Sequence, residues 1–129
     1  ASKISNPTWV PKATALYNNA TGTTGTVALS ASAASYNHMR IYYRVVVDSY
    51  IGYGSETVYS PNGKTVVLSP AMQTSGTNAT WWTKRVSISG TSITRVNEWH
   101  FSLVMSTGVV GGNTNSNNIY IYRVEGWNE

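Results

Sequence analysis

Residues 39–48, MRIYYRVVVD, alternate with a period of two. Met39, Ile41, Tyr43, Val45 and Val47 share one side, and Arg40, Tyr42, Arg44 and Val46 share the other. Successive side chains point to opposite faces of a strand, so this pattern predicts a strand with one face in a core and argues against a helix there. No stretch of the chain sustains helical spacing. Residues 98–105 repeat the alternation, with Trp99, Phe101, Leu103 and Met105 set against Glu98, His100, Ser102 and Val104. The aromatic row is the expected inward face. Residues 118–125 set Ile119, Ile121 and Arg123 against Tyr120, Tyr122 and Val124. Apolar bulk on both sides predicts burial on both faces, or at a contact between subunits.

Turn residues divide the remaining strands. Pro61-Asn62-Gly63 separates 56–60 from 64–69 and reads as a hairpin turn, with Pro fixing one φ and Asn-Gly tolerating positive ones. Ser89-Gly90 separates 82–89 from 91–96, whose apolar members are Val86, Ile88, Ile93 and Val96. A longer hairpin is expected to join 16–19 to 26–30 across 20–25. Segments 49–55, 71–78 and 107–117 read as loops. Residues 1–14, with Pro7 and Pro11 around Trp9, read as a linker entering a domain of 15–129. About eight short strands predict an all-β fold, an antiparallel β-sandwich or jelly roll.

Composition narrows the function. The 129 residues suit a single domain. Only 11% are charged, while Ser, Thr and Asn occupy 44 positions, so polarity comes mainly from hydroxyls and amides. Fifteen aromatics and a net charge of +4 argue for folding rather than disorder. No apolar run reaches the length of a membrane-spanning helix, and no charged-then-apolar leader is visible, so a soluble domain without membrane insertion is expected. The chain begins Ala1-Ser2-Lys3 without Met, as a fragment of a longer protein would. The nine Lys and Arg residues are scattered, and the one adjacent pair, Lys84-Arg85, points to opposite faces of a strand. Nucleic acid is therefore not an expected partner.

Catalytic chemistry finds little to work with. Without cysteine there is no thiolate nucleophile or thiolate metal site. The acids are Asp48, Glu56, Glu98, Glu125 and Glu129, whereas glycoside hydrolysis needs two placed carboxyls. Asp48 and Glu56 flank one segment and could meet at a loop mouth, although two solvated charges beside a turn is the simpler reading. A serine triad would draw on His38 or His100, Asp48 and some serine, yet no Gly-x-Ser-x-Gly elbow is present. The two histidines lie 62 residues apart and no calcium loop is visible, so no metal, cofactor or catalytic residue is assigned. Asn19-Ala20-Thr21 and Asn78-Ala79-Thr80 match the glycosylation sequon, a match that so Asn- and Thr-rich a chain produces by chance.

The positive signal is aromatic. Trp81 and Trp82 are adjacent in an expected strand and must face opposite sides, so if one fills the core the other meets solvent, a ligand or another subunit. Tyr50 and Tyr53 sit in a glycine-containing segment, where a flat amphipathic ring can stack on a sugar or anchor a protein contact. Trp81, Trp82, Tyr50 and Tyr53 are the candidate ligand-binding residues. Amides, hydroxyls and aromatics together suit neutral saccharide recognition, and they suit a cohesive structural β module equally well.

Leu16-Tyr17-Asn18-Asn19, Gly25-Thr26-Val27-Ala28-Leu29-Ser30 and Met39-Arg40-Ile41-Tyr42-Tyr43-Arg44 follow one another in an order that resembles distal tail proteins of bacteriophages, especially those infecting Gram-positive bacteria. The similarity continues through Glu56-Thr57-Val58-Tyr59-Ser60-Pro61-Asn62-Gly63-Lys64 and 86–94 to the closing Ile119-Tyr120-Ile121-Tyr122-Arg123-Val124-Glu125-Gly126, covering roughly residues 15–127. It implies a β-sandwich tip domain of a tail fibre, baseplate or related virion appendage. Such a domain is usually a homotrimer whose target is host-surface or cell-wall polysaccharide. A non-enzymatic receptor-binding module for host attachment is the expected function. The alternative is a structural head or tail decoration that trimerises and caps a fibre. The family's receptor loops vary, so no binding position carries over from it.

Overall fold

The computed structural model describes residues 12–111 and 114–129. Nearly all of the expected linker therefore lies outside the described residues. Within them the chain forms eleven strands and one short 3-10 turn: β1 Thr14–Thr23, β2 Val27–Ala28, the 3-10 turn Ala33–Ser35, β3 His38–Val47, β4 Tyr50–Tyr59, β5 Thr65–Leu68, β6 Ala71–Gln73, β7 Asn78–Ser89, β8 Ser92–Val104, β9 Val109–Val110, β10 Thr114–Asn115 and β11 Ile119–Trp127. They build two antiparallel sheets, the all-β sandwich that the alternation predicts. One has the order β1-β11-β3-β4. The other runs β10-β8-β7-β5, with β2 and β9 also on β8 and β6 also on β7. Leu16, Met39, Ile41, Val45, Ile119, Ile121 and Val124 of the first sheet face Val66, Leu68, Trp82, Val86, Ile88 and Ile93 of the second in one buried cluster. Among the described residues no helix is long and apolar enough to cross a membrane.

Two strand faces differ from the alternation because each strand carries a bulge. Ile121 lies opposite Tyr43 while Arg123 lies opposite Tyr42, so Tyr122 is an extra residue in β11. An extra residue inverts the parity beyond it. Ile119 and Ile121 before it and Val124 after it all face the core, and the two-sided apolar pattern is one buried face read across a bulge. In β8 the shift falls between Asn97, opposite Arg85, and Arg95, opposite Val86. Val96 is consequently exposed rather than a core member. Beyond it Glu98 points inward, fully buried, while Trp99 is 40% exposed. The expected orientation of 98–105 is thus inverted: the aromatic row faces outward.

Pro61-Asn62-Gly63 does not close a hairpin. β4 pairs with β3 and β5 pairs with β7, so the turn carries the chain from one sheet to the other. Lys64 N–H donates to Pro61 C=O at 3.1 Å, and of the two central residues only Gly63 has a positive φ, +82°. That is the type II pattern, whose twist splays flanking strands, whereas a two-residue hairpin requires the mirror-image turns. The same holds for 20–25: β1 pairs with β11 and β2 with β8, so the longer hairpin is also a crossing between sheets. The turn at Gly90 does close its hairpin, joining β7 to β8.

Residues 50–55 are strand, not loop. β3 and β4 pair continuously from His38 opposite Tyr59 to Val47 opposite Tyr50, around a turn at Asp48 and Ser49. The glycines that suggested a loop serve close approach instead. A Cβ on Gly54 would sit 2.7 Å from the Tyr43 ring and hydroxyl. Gly54→Ala should therefore cost about 1–3 kcal/mol through overpacking, measurable as a lower urea midpoint with an unchanged slope. Asp48 and Glu56 end up roughly 25 Å apart along the hairpin, at about 3.3 Å per residue, and form no carboxylate pair. Short strands also interrupt the other two expected loops, β6 within 71–78 and β9 and β10 within 107–117.

Candidate functional site: the outer face of the four-stranded sheet

The strand order β11-β3-β4 lines up the outward residues of three strands. At one end Trp127, His38 and Tyr59 sit side by side. His38 stacks on Trp127 at 5.3 Å with an interplanar angle of 11°, and meets Tyr59 edge-on at 5.2 Å. The next level holds Glu125, Arg40 and Thr57, then Arg123, Tyr42 and Ser55, then Tyr120, Arg44 and Tyr53. With alternate residues about 6.6 Å apart along a strand, the strip from Trp127 to Tyr53 is about 20 Å long.

Neighbouring side chains hold this face in place. Tyr122, on the bulge, packs against Tyr42 at 6.3 Å and Tyr53 at 6.0 Å. The Arg44 guanidinium lies 5.2 Å over the Tyr120 ring, donating to Thr21 C=O at 2.6 Å; that of Arg40 lies 5.8 Å from the Trp127 ring, its Nε donating to Thr57 Oγ1 at 2.9 Å. Arg123 pairs with Glu125 at 3.4 Å. A hollow of about 230 Å³ opens between Trp127 and Tyr42, lined by Ala13, Arg40 and Glu125 as well. Aromatic walls with a guanidinium and a carboxylate between them can stack on a sugar ring and hydrogen-bond its hydroxyls. Tyr53 and Tyr59, 70% and 64% exposed, extend the apolar contact along the β4 edge.

The four aromatics singled out in the sequence do not converge. Tyr53 belongs to this face. Tyr50 closes the β3-β4 hairpin opposite Val47, partly exposed. Trp81 lies on the outer face of the other sheet, stacked at 5.4 Å on Phe101 opposite it. Trp82 is the indole that fills the interior, 2% exposed, donating through Nε1 to Asn118 Oδ1 at 3.3 Å. Sequence reasoning missed Trp127, His38, Tyr59, Tyr42, Tyr120 and Tyr122. The Arg40, Tyr42, Arg44 alternation was the available signal, but only the strand order sets Trp127 and Tyr59 beside it.

A buried ion pair ties the two sheets together beneath this face. Lys84 Nζ lies 3.8 Å from Glu98 Oε1, both side chains fully buried. The ammonium donates to Thr24 C=O at 2.8 Å and Ile119 C=O at 3.0 Å. The carboxylate accepts from Asn118 N–H at 2.7 Å, Ile119 N–H at 3.2 Å and the Ser116 hydroxyl. Glu98 of one sheet thereby fixes the start of β11 in the other.

Burial pushes the Lys84 ammonium down to about 8, against the pull of Glu98 and with a smaller push from Arg95. Between that value and 10.5 the unfolded chain binds the proton and the folded chain does not, so stability rises with pH across this window. From about pH 7.5 to about pH 9.5 the gain should be about 2 kcal/mol, read from urea unfolding at each pH. Above 10.5 the Lys84 gain is complete, and because burial and Glu56 raise Tyr43 the folded state there holds the extra proton and stability should fall as pH rises further.

Compared with known proteins, the chain matches no family model and no curated sequence.

Proposed function

We propose that the chain is a non-enzymatic receptor-binding module of a phage virion appendage, and that the outer face of the four-stranded sheet recognises host-surface polysaccharide. The observation that carries this reading is the 20 Å strip of Trp127, Tyr42, Tyr122, Tyr53 and Tyr59 interleaved with Arg40 and Arg44, with its hollow beside Trp127. A flat face of rings and hydrogen-bonding groups suits a linear polymer, whereas a deep pocket suits a free small molecule. The acids support a role without catalysis: Glu98 is buried in an ion pair, Glu125 pairs with Arg123, Glu129 lies 3.6 Å from His38, and Asp48 and Glu56 are far apart.

The second reading, a capping module that trimerises, is favoured by the opposite surface. Trp81, Trp99, Phe101, Leu103 and Val110 lie together on the outer face of the other sheet. An apolar sheet face of this kind suits packing between copies. The two readings are compatible, since a homotrimer joined through this face would present three aromatic strips and bind a repetitive polymer with avidity. Binding to purified Gram-positive cell walls separates them. The receptor reading expects retention of the protein on at least one wall preparation. A pure cap is a trimer by light scattering and is retained on none.

A further inference from the structure

Between the two sheets, at the end carrying the β3-β4 turn, a cleft of about 330 Å³ is lined by Asp48, Thr80, Trp82, His100, Ser102 and Asn118, among others. It is separate from the aromatic strip. We propose that this cleft is a second binding site, taking a single hydroxyl-rich sugar ring such as the terminal residue of a polysaccharide. Its ligand class follows from the reading of the chain as a saccharide receptor; its existence as a site does not depend on the sheet face.

The lining is chemically specific. Asp48 contributes a carboxylate, which accepts hydrogen bonds only, at a turn position with φ of +52°. Thr74, Thr80 and Ser102 contribute hydroxyls, with Thr80 2.9 Å from Thr74 and 3.5 Å from Ser102. Asn118 is already held, accepting from Trp82 Nε1 and donating to Val46 C=O at 2.9 Å, so it forms a rigid wall. His100 is different. It packs 6.4 Å from the Trp82 ring, and its Nδ1 is buried without a hydrogen-bond partner among the described residues. Buried polar atoms normally have partners, so His100 is a member of the lining whose hydrogen bonding is incomplete within the chain.

A sugar hydroxyl fits this set because it both gives and takes a hydrogen bond: it can donate to Asp48 and serve either tautomer of His100. The volume is near the lower end for ligand pockets, which limits the guest to about one ring. The larger hollow at the other end of the sandwich, about 370 Å³ and lined by Asn37, Asn62 and Asn128, makes a useful contrast. There the amides bond to backbone groups of Glu129, Gly90, Asn37 and Ser35 and hold chain segments together.

The test is a titration of the isotopically labelled chain with methyl glycosides of glucose, galactose, N-acetylglucosamine and rhamnose, followed by amide and indole NMR. The inference expects at least one of them, at millimolar concentration, to shift the Trp82 indole and Asn118 side-chain resonances. Asp48→Asn, which tolerates the left-handed turn, should weaken that response roughly tenfold by removing a charge-assisted hydrogen bond. Ser102→Ala, a smaller change less able to disturb folding, should weaken it by a lesser factor. No shift at Trp82 and Asn118 with any glycoside, or shifts unchanged in both variants, overturns the inference. Shifts at Trp127 and Tyr53 alone also overturn it while leaving the sheet-face reading standing. Shifts confined to the cleft, with no polysaccharide bound by the strip, support the cleft and refute the strip.

Discussion

Glu98→Gln is expected to lower the unfolding free energy by about 3–5 kcal/mol, the range for removing one partner of a buried ion pair. The large value follows from what remains. Lys84 stays fully buried without its carboxylate, so it must hold an uncompensated charge or give up its proton, with only the carbonyls of Thr24 and Ile119 as partners. The amide offers one acceptor oxygen to the three donors, Ser116 hydroxyl, Asn118 N–H and Ile119 N–H, that the carboxylate satisfies with two. A paired change, Lys84→Met with Glu98→Gln, should recover much of the loss, because the unpaired charge is then gone. Urea unfolding of the two variants checks both statements. If Glu98→Gln costs less than about 1 kcal/mol, the pair is not the tie between the sheets that its burial implies.

The second large effect is on binding. Trp127→Ala should weaken retention on host polysaccharide at least about 30-fold, corresponding to a hot-spot loss of about 2 kcal/mol or more. Trp127 is the widest ring on the face. It borders the hollow and its orientation is set by His38 on β3 and by Arg40 close to its ring. Truncation removes the stacking wall, and with it the ring against which His38 and Arg40 pack. Tyr53→Ala, at the far end of the strip, should have a smaller effect, since that ring is largely exposed, with Tyr122 edge-on beside it. Thr94→Ala, exposed on the other sheet, should bind like the parent chain.

The alternation in 39–48 was enough to establish the fold class, and both its faces are as the pattern implies, Met39 to Val45 inward and Arg40 to Arg44 outward. Where the reading failed, the cause was non-local. The bulges at Tyr122 and Val96 invert strand parity, and a single inserted residue leaves no mark in composition. The type II turn at Gly63 has the same residues that a hairpin turn prefers, and only the φ values distinguish them. Burial of Glu98 depends on Lys84 lying opposite it in the neighbouring strand. The candidate site was half legible for the same reason. Tyr53 was named as a site residue, while Arg40, Tyr42 and Arg44 were legible as an outward row but not as a site, and Trp127 joins them only because β11 inserts between β1 and β3.

The most direct test of the receptor reading is a side-by-side retention assay of the parent chain and Trp127→Ala on a panel of immobilised cell-wall polysaccharides purified from Gram-positive bacteria, with thermal unfolding confirming that both are folded. The account predicts that the parent chain is retained on at least one polysaccharide and that folded Trp127→Ala is lost from it. Equal retention of the two proteins, or no retention of the parent chain on any of the polysaccharides, would contradict it.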